Sequence, residues 1–550
     1  MQTIIKNKND PRIYGTSSVG DKNKTIINKA VFTSCEKNDN CPAWSIKAKK
    51  ITHDKNKKDI IYDNAVLKVY DFPIFYFPKF FHPDPSVKRR SGLLQPRLNN
   101  SSIVGTSINV PYFFAISENR DFTFKPTIFD NRIYMFQNEY RQQNEKSYFI
   151  SDFAYTKGYQ SSLANNRNGI SHLFAKYNLD LDLKEFTKSE LEINYEKVSM
   201  DTYLKVFENT ILTDKEFEDD LRNHNTMESN IKLSLDHEDY SFTSGITSYE
   251  NLQITNNSDR YQYVLPYYNF SKNLISNEKG SVNFSSTGDN SLKDTNNLRT
   301  LVDNNLNYTS KENYSKLGFV SNYEIHLKNL NSVAKNDTKY TSSLQSKLLN
   351  INEFKISYPL SKKNLKHLDF LTPKISLRVN PSNMKDYSTD HRLITANNAF
   401  SINRLGLTEH FESGKSLTLG LDYKKENIFD PEKYLEVKFA GILRDTPEYK
   451  MPNSSSLQGK TSNLFGSIEN KFSKYLTFNY DFSIDNNFNT FEYNNFTTKL
   501  STNNFITEFH FHESNGKIGD TNYLTNSTSL NIDDNQSLKF ETRRNRKISL

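Results

Sequence analysis

Residues Asp71–Arg97 read DFPIFYFPKFFHPDPSVKRRSGLLQPR. An aromatic, apolar strand is expected over Phe72–Phe81, punctuated by Pro73 and Pro78. His82-Pro83-Asp84-Pro85 then turns the chain. A basic cluster, Lys88-Arg89-Arg90, follows, and Ser91-Gly92-Leu93-Leu94 opens a different kind of sequence. We read this stretch as the joint between two domains. Residues 1–85 are a basic N-terminal domain, 86–97 the joint, and 98–550 a long series of alternating strands.

The composition supports strands with one wet face. Only 35% of the 550 residues are hydrophobic and the mean hydropathy is −0.74, yet 13% are aromatic. Disordered chains are poor in aromatics, so the polarity belongs to folded, two-faced elements. No run reaches the ~18 apolar residues of a membrane helix, which leaves open a membrane barrel crossed by ~9–11 alternating residues. Net charge is +7, and residues 1–97 hold 19 Lys and Arg against 9 Asp and Glu. A basic N-terminal piece suits an anionic partner; a solvated lysine-rich surface accounts for it equally well.

Period-two alternation runs through the chain. Trp44, Ile46 and Ala48 oppose Ser45, Lys47 and Lys49, and a second short strand spans Ile60–Tyr70. Leu173, Ala175, Tyr177, Leu179, Leu181 and Leu183 oppose His172, Lys176, Asn178, Asp180 and Asp182, with Phe174 the exception. Leu191, Ile193 and Tyr195 oppose four polar neighbours; Ile231, Leu233 and Leu235, and Leu417, Leu419 and Leu421, repeat the pattern. Polar stretches such as Ser285–Asn297 and Pro452–Gly459 are expected connectors. No convincing helix or fixed repeat appears. At about 18–20 residues per strand with its connection, Leu98–Leu550 gives roughly 22–26 strands, the size of a large outer-membrane barrel. The expected fold is all-β: a large antiparallel transmembrane barrel behind a small N-terminal sheet. A soluble sandwich or solenoid is the competing reading, weakened by the missing period.

No catalytic signature is present: no H-E-x-x-H, phosphate loop, dinucleotide fingerprint or zinc-type cysteine spacing. No enzyme activity and no cofactor are expected. His510 and His512 share a strand face beside Glu508, which suits water-facing residues better than a metal site. Arg543-Arg544-Asn545-Arg546-Lys547 is a basic run that fits phosphate or solvent alike. Cys35 and Cys41 can close a small loop as a disulfide in an oxidising compartment, or stay as two thiols. Met1–Ala30 shows no apolar signal segment. Pro96 and Pro111 sit in strand-like surroundings, LLQPRL and INVPYFF, where proline weakens pairing or ends the strand.

Several of these stretches together resemble one family. FTSC (32–35) with CPAWSIKAKKITHD (41–54), IYDNAVLKVYDFPIFYFPKFFHPDPSVKRRSGLLQP (61–96), VPYFFAISENRDFTFKPTI (110–128) and NEYR (138–141) resemble the LptD/OstA family of lipopolysaccharide-assembly outer-membrane proteins, in its alphaproteobacterial form. The likeness is dense over Val31–Arg141. Beyond it lie islands at YQYVLPYYNFSK (261–272), ISYPLSKK (356–363) and FSINRLGL…GKSLTLGLDY (400–423).

The resemblance implies a periplasmic β-jellyroll, here its C-terminal part, feeding an outer-membrane barrel. It implies as partners lipopolysaccharide, a plug lipoprotein and a periplasmic bridge of related β-jellyroll proteins, and no nucleic acid. It implies a sideways exit for the lipid, with Pro96 and Pro111 matching the prolines beside this lateral gate. Cys35 matches a family cysteine and Cys41 its local neighbour. Both ends look cut short against the family pattern. A lipid-carrying sheet needs an apolar groove, for which Trp44, Ile46, Ala48, Phe75 and Phe77 are candidates, and cations near the head group, for which Lys88, Arg89 and Arg90 are placed. Two other classes stay open: a porin or receptor barrel for small polar solutes, which would conduct ions, and a soluble surface-binding β protein, which would need no detergent.

Overall fold

The computed structural model describes residues 3–4, 12–33, 35, 43–84, 86–87, 89–160, 168–207, 225–255, 257–294, 296–533 and 536–545. These form two compact units: Met1–Asp180, Leu191–Ser229 and Asn251–Gln253; and Leu181–Glu190, Asn230–Glu250 and Ile254–Leu550. The chain is almost wholly strand. Among the described residues the only helices are single turns, Tyr203–Val206, Asn257–Arg260 and Asn453–Ser455.

The N-terminal sheet has seven strands. Its centre is Lys24–Thr33, Trp44–Asp54 and Asp59–Val69, with Phe72–Pro83 at the edge. Alternation builds one dry face: Ile27, Ala30, Ile46, Ala48, Ile51, Ile60, Tyr62 and Ala65 are buried together. Trp44, Phe77 and Phe80 pack against the rim of that core.

His82 is set into this aromatic rim. Its Nδ1 lies 2.7 Å from the Pro83 carbonyl and its Nε2 2.6 Å from the Tyr62 hydroxyl, with the Phe32 ring 4.9 Å away. Burial pushes its pKa down, against the weaker opposing pull of the Pro83 carbonyl and Asp84. The folded sheet therefore holds a neutral imidazole, and below the ordinary value of 6.5 the unfolded chain binds more protons. Stability of the sheet is expected to fall as pH drops through 6.5. Trp44, the chain's one tryptophan, packs 5.8 Å from Phe32 and reports it. Its fluorescence melting should shift down between pH 7.5 and 5.5 in the wild type and stay level in His82→Phe.

The remaining strands, from Gly92–Leu93 to Gln536–Asn545, follow one another in a single sheet that closes into a barrel. Neighbours pair antiparallel, as in Tyr134–Gln143 against Ser147–Tyr159 and His367–Asn380 against Gly414–Asn427. One face is apolar and open: Leu419, Leu421, Phe439 and Leu443 are exposed. The other is polar and covered, with Ser416 and Thr418 buried between those leucines. This is the inside-out pattern of a sheet solvated by lipid on its outer face.

One expectation changes. Ser285–Asn297 is not a connector: the strand Gly280–Lys293 runs through most of it. Ser286 is satisfied by neighbouring strands across the inner face, with Tyr268 Oη 3.0 Å from its Oγ and its Oγ donating to Asn304 Oδ1 at 2.7 Å, so polarity there marks a covered wall, not a turn. Phe174, the break in its strand's alternation, also has a cause. It is buried on the inner face, stacked on His172 at 4.7 Å, under the turn carrying Tyr203 and Phe207.

Candidate functional site

The five apolar residues singled out from the sequence, Trp44, Ile46, Ala48, Phe75 and Phe77, share one face in cross-strand rows. Ile46 pairs with Leu67 and Leu67 with Phe75; Ala48 pairs with Ala65 and Ala65 with Phe77. Trp44, opposite Val69, is on the same face. The rows run from closed to open: Ala48 and Ile46 are in the core, Phe77 is at its rim, and Phe75 is 59% exposed. Phe75 stacks on Phe77 at 5.1 Å. Phe72, Ile74, Tyr76 and Phe81 of the same edge strand are exposed as well. Lys47 points to the other face and is exposed.

Arg89 and Arg90 are engaged in opposite directions. Arg89 donates to the Glu118 carbonyl at 2.6 Å and to the Asp121 carboxylate, and its guanidinium lies over Phe113 at 5.8 Å. Asp121 also accepts from Arg141 Nε at 2.9 Å. Arg90 turns back to the N-terminal sheet, donating to Asp59 Oδ2 at 3.0 Å over the Phe81 ring at 5.9 Å. Nearby, His53 Nε2 sits 2.5 Å from Asp84 Oδ2. Consecutive arginines thus tie the last strands of the small sheet to the strand Arg120–Phe129 of the barrel. Each has one carboxylate and one aromatic ring, a pairing suited to guanidinium. Lys88 lies outside the described residues.

Pro96 and Pro111 both fall at breaks. Pro96 separates Gly92–Leu93 from Arg97–Ser101, and Pro111 separates Gly105–Asn109 from Tyr112–Ser117. Asn109 pairs with Arg97 and with Thr127. Continued one step, this register sets Val110 level with Pro96 on one side and Pro126 on the other. Pro126, within Arg120–Phe129, was not singled out from the sequence.

In an antiparallel ladder a residue's N–H and C=O face the same neighbour. Val110 N donates to Pro126 O at 3.2 Å, so the bond missing from Pro126 is the return bond to Val110. Likewise Leu94 N donates to Pro111 O at 2.8 Å, and no return bond can form. Pro111 and Pro126 therefore each remove one ladder bond along a line across the first three strands, and Pro96 interrupts the first of them. A cavity of about 510 Å³ lies beside it, lined by Asn99, Ser101, Asn109, Thr127, Phe129 and Lys205 among others.

Cys35 Sγ lies 3.7 Å from the Trp44 carbonyl. Cys41 lies outside the described residues, and with it the cysteine pairing. His510 Nε2 contacts Asn495 Oδ1 at 2.6 Å and His512 Nε2 contacts Thr521 Oγ1 at 3.1 Å. Among the described residues no group of three or more His, Cys, Asp or Glu is placed to hold a metal, and no helix is long and apolar enough to cross a membrane. Arg543 lies over the Tyr523 ring at 4.8 Å.

The chain is similar in sequence to several LPS-assembly proteins. The chain is 39% identical over 126 residues to the LPS-assembly protein LptD of Polaromonas sp., covering 22% of this chain and 15% of that one. It is 31% identical over 185 residues to LPS-assembly protein LptD of Mannheimia succiniciproducens, covering 33% and 23%. It is 28% identical over 191 residues to LPS-assembly protein LptD of Legionella pneumophila strain Paris, covering 33% and 22%. The matched stretches thus span less than a quarter of these relatives' length. No family model matches the chain. A bacterial polysaccharide outer membrane secretin overlaps 66% of this chain and 89% of its own at 8% identity and a TM-score of 0.16, which carries no weight for fold or function.

Proposed function

We propose that this chain works at the outer membrane in lipopolysaccharide assembly, taking the lipid on its N-terminal sheet and releasing it to the outer leaflet between barrel strands. The small sheet stands in the periplasm and receives lipid from a bridge of β-jellyroll proteins; a plug lipoprotein occupies the barrel. Residues 1–85 carry the lipid, 86–97 join, and 98–550 are the barrel. The chain is a transporter, not an enzyme, and needs no cofactor.

One observation carries this reading: an open aromatic face is tied by Arg89 and Arg90 to the part of the barrel wall where prolines thin the pairing. Acyl chains match exposed Phe75 and the Trp44 rim, because burying apolar surface is favourable at about 25 cal/mol per Å². The weak line across the first strands is where a large amphiphile can pass sideways. A porin has use for neither feature.

A photo-crosslinking amino acid at Phe75 or Trp44 is expected to capture lipopolysaccharide in cells, and one at Lys47 to capture several-fold less. Equal capture on both faces removes the groove from the proposal.

A further inference from the structure

Two connections in the second unit are long. Residues 381–413 join the strands His367–Asn380 and Gly414–Asn427, and residues 445–463 join Tyr434–Arg444 and Leu464–Lys471. Connections beyond about 12–15 residues with no strand and at most a single helical turn, here Asn453–Ser455 in the second, are uncommon and usually have a task. These two are not loose surface chain. Met384, Ile394, Ala396, Ala399, Leu405 and Leu407 of the first pack with Met451 and Leu457 of the second. Together they bury Ala440, Ile442 and Phe465 of the wall. Ile442 faces opposite to Leu443, so this wall is apolar on both faces. An inner wall that only met water would gain nothing from Ile442 and Phe465; here they seat the connection.

Apolar contact holds the segment without fixing where it sits. One carboxylate fixes it. Glu412, near the end of the connection, is 4% exposed and meets three arginines. Arg404 Nε donates to its Oε2 at 2.6 Å, with Arg404 Nη2 on Oε1. Arg444 Nη1 donates to Oε1 at 2.6 Å, and Arg378 Nη1 to Oε2 at 3.3 Å. Arg404 belongs to the connection itself; Arg378 and Arg444 stand on wall strands either side of Gly414–Asn427. The wall completes the fit. Arg404 reaches Thr418 Oγ1 at 2.9 Å and Ser416 Oγ at 3.0 Å, Arg378 Nη2 reaches Glu353 at 2.8 Å and the Ser401 carbonyl at 2.6 Å, and Arg444 Nη2 reaches the Ser413 carbonyl at 2.6 Å.

We infer that residues 381–413 are a built-in plug segment of this part of the barrel and that Glu412 is its latch. With Glu412 in place, three buried guanidiniums face two carboxylates, Glu353 and Glu412, and Glu353 is shared with Lys355 at 3.2 Å. Without its charge, three face one in a site at most 5% exposed, where like charges are barely screened. The arginines on the wall cannot leave, so the segment carrying Arg404 does. Glu412 thus sets whether the inner face is covered or open to polar solutes. The inference stands on the barrel alone and does not rest on lipid transport.

The test is conductance of the full-length protein, purified free of any plug lipoprotein, in planar bilayers. The wild type is expected to rest in a low-conductance state. Glu412→Gln keeps shape and loses charge; it should raise the fraction of time in a high-conductance state roughly 100-fold, as breaking a buried ion pair does for a two-state equilibrium. Arg444→Gln loses a tie to Glu412 and to the Ser413 carbonyl but also relieves the excess of positive charge, so it should raise it far less. Folding is checked by heat-modifiable gel migration. A folded Glu412→Gln protein with wild-type conductance overturns the latch. Hydrogen exchange of the unmodified protein tests the plug even where Glu412→Gln does not fold. Residues 381–413 should exchange as slowly as the strand Gly414–Asn427; exchange as fast as the exposed residues 315–319 overturns it.

Discussion

Arg89→Ala with Arg90→Ala is expected to uncouple the N-terminal sheet from the barrel while leaving both folded. The small sheet would keep its own core around Ile51, Ile60 and Tyr62, and the barrel strand Arg120–Phe129 would keep Asp121 bound to Arg141. What is lost lies between them. Asp59 is 7% exposed, and Arg90 is its guanidinium partner. Removing one partner of a buried pair costs ~3–5 kcal/mol. The Arg90 side chain is about a third exposed, so solvent screens the pair, and about 1–3 kcal/mol is the better figure for the joint.

That corresponds to roughly 5–150-fold in an equilibrium between docked and undocked joint. Cleavage after Lys88 by a lysine-specific protease should quicken within that range, with the wild-type melting of Trp44 fluorescence retained. Surface lipopolysaccharide per folded barrel should fall with it. Arg90→Lys keeps charge but not the fork over Phe81, and should fall between. Cleavage at the wild-type rate in the double variant would show that the joint is held by something other than these arginines.

Much of the architecture could be read from alternation alone. Leu417, Leu419 and Leu421 against Ser416 and Thr418 name the two faces of their strand, and the covered face is the polar one. Trp44, Ile46 and Ala48 likewise announce the dry side of the small sheet. What alternation could not give was anything set by pairing between distant strands. Pro126 sits in FTFKPTIF, a stretch that alternates well and reads as an ordinary strand; only the register with Asn109 puts it beside Val110.

Charged residues in connections were opaque for a related reason. Glu412 and Arg404 stand in a polar segment where solvated charge is the default, and only the fold brings Arg378 and Arg444 to them. The island FSINRLGL…GKSLTLGLDY pointed to this region, carrying Arg404, Ser416 and Thr418, but gave it no task. Arg89 and Arg90 were legible as a cluster at a joint, yet their opposite directions follow from Asp59 and Asp121, 31 and 32 residues away.

Restoring the missing donors at the first strands is expected to strengthen the barrel and, on the proposed function, to slow export. Pro111 and Pro126 each accept a bond from a neighbour and return none. Valine at both positions, with Pro96→Val to carry the strand through its break, supplies two ladder N–H groups whose acceptors already lie opposite. A net hydrogen bond contributes about 0.5–1.5 kcal/mol, so two give about 1–3 kcal/mol. In hydrocarbon the gain is at the upper end, because no water competes for the orphan carbonyls.

The line would then resist opening by up to about a hundredfold, and lipopolysaccharide reaching the surface per folded barrel should drop accordingly. Heat-modifiable migration should persist to a higher temperature. The control is Pro373, inside the strand His367–Asn380, whose carbonyl accepts from Tyr358 N at 3.0 Å in the same one-sided way. Pro373→Val should also stabilise its local pairing, but far along the chain from the first strands it should leave export unchanged. If the triple variant is more stable and exports at the wild-type level, the prolines only punctuate strands and the exit lies elsewhere. If Pro373→Val slows export as much, stiffness of the whole wall, and not a line across its first strands, governs release.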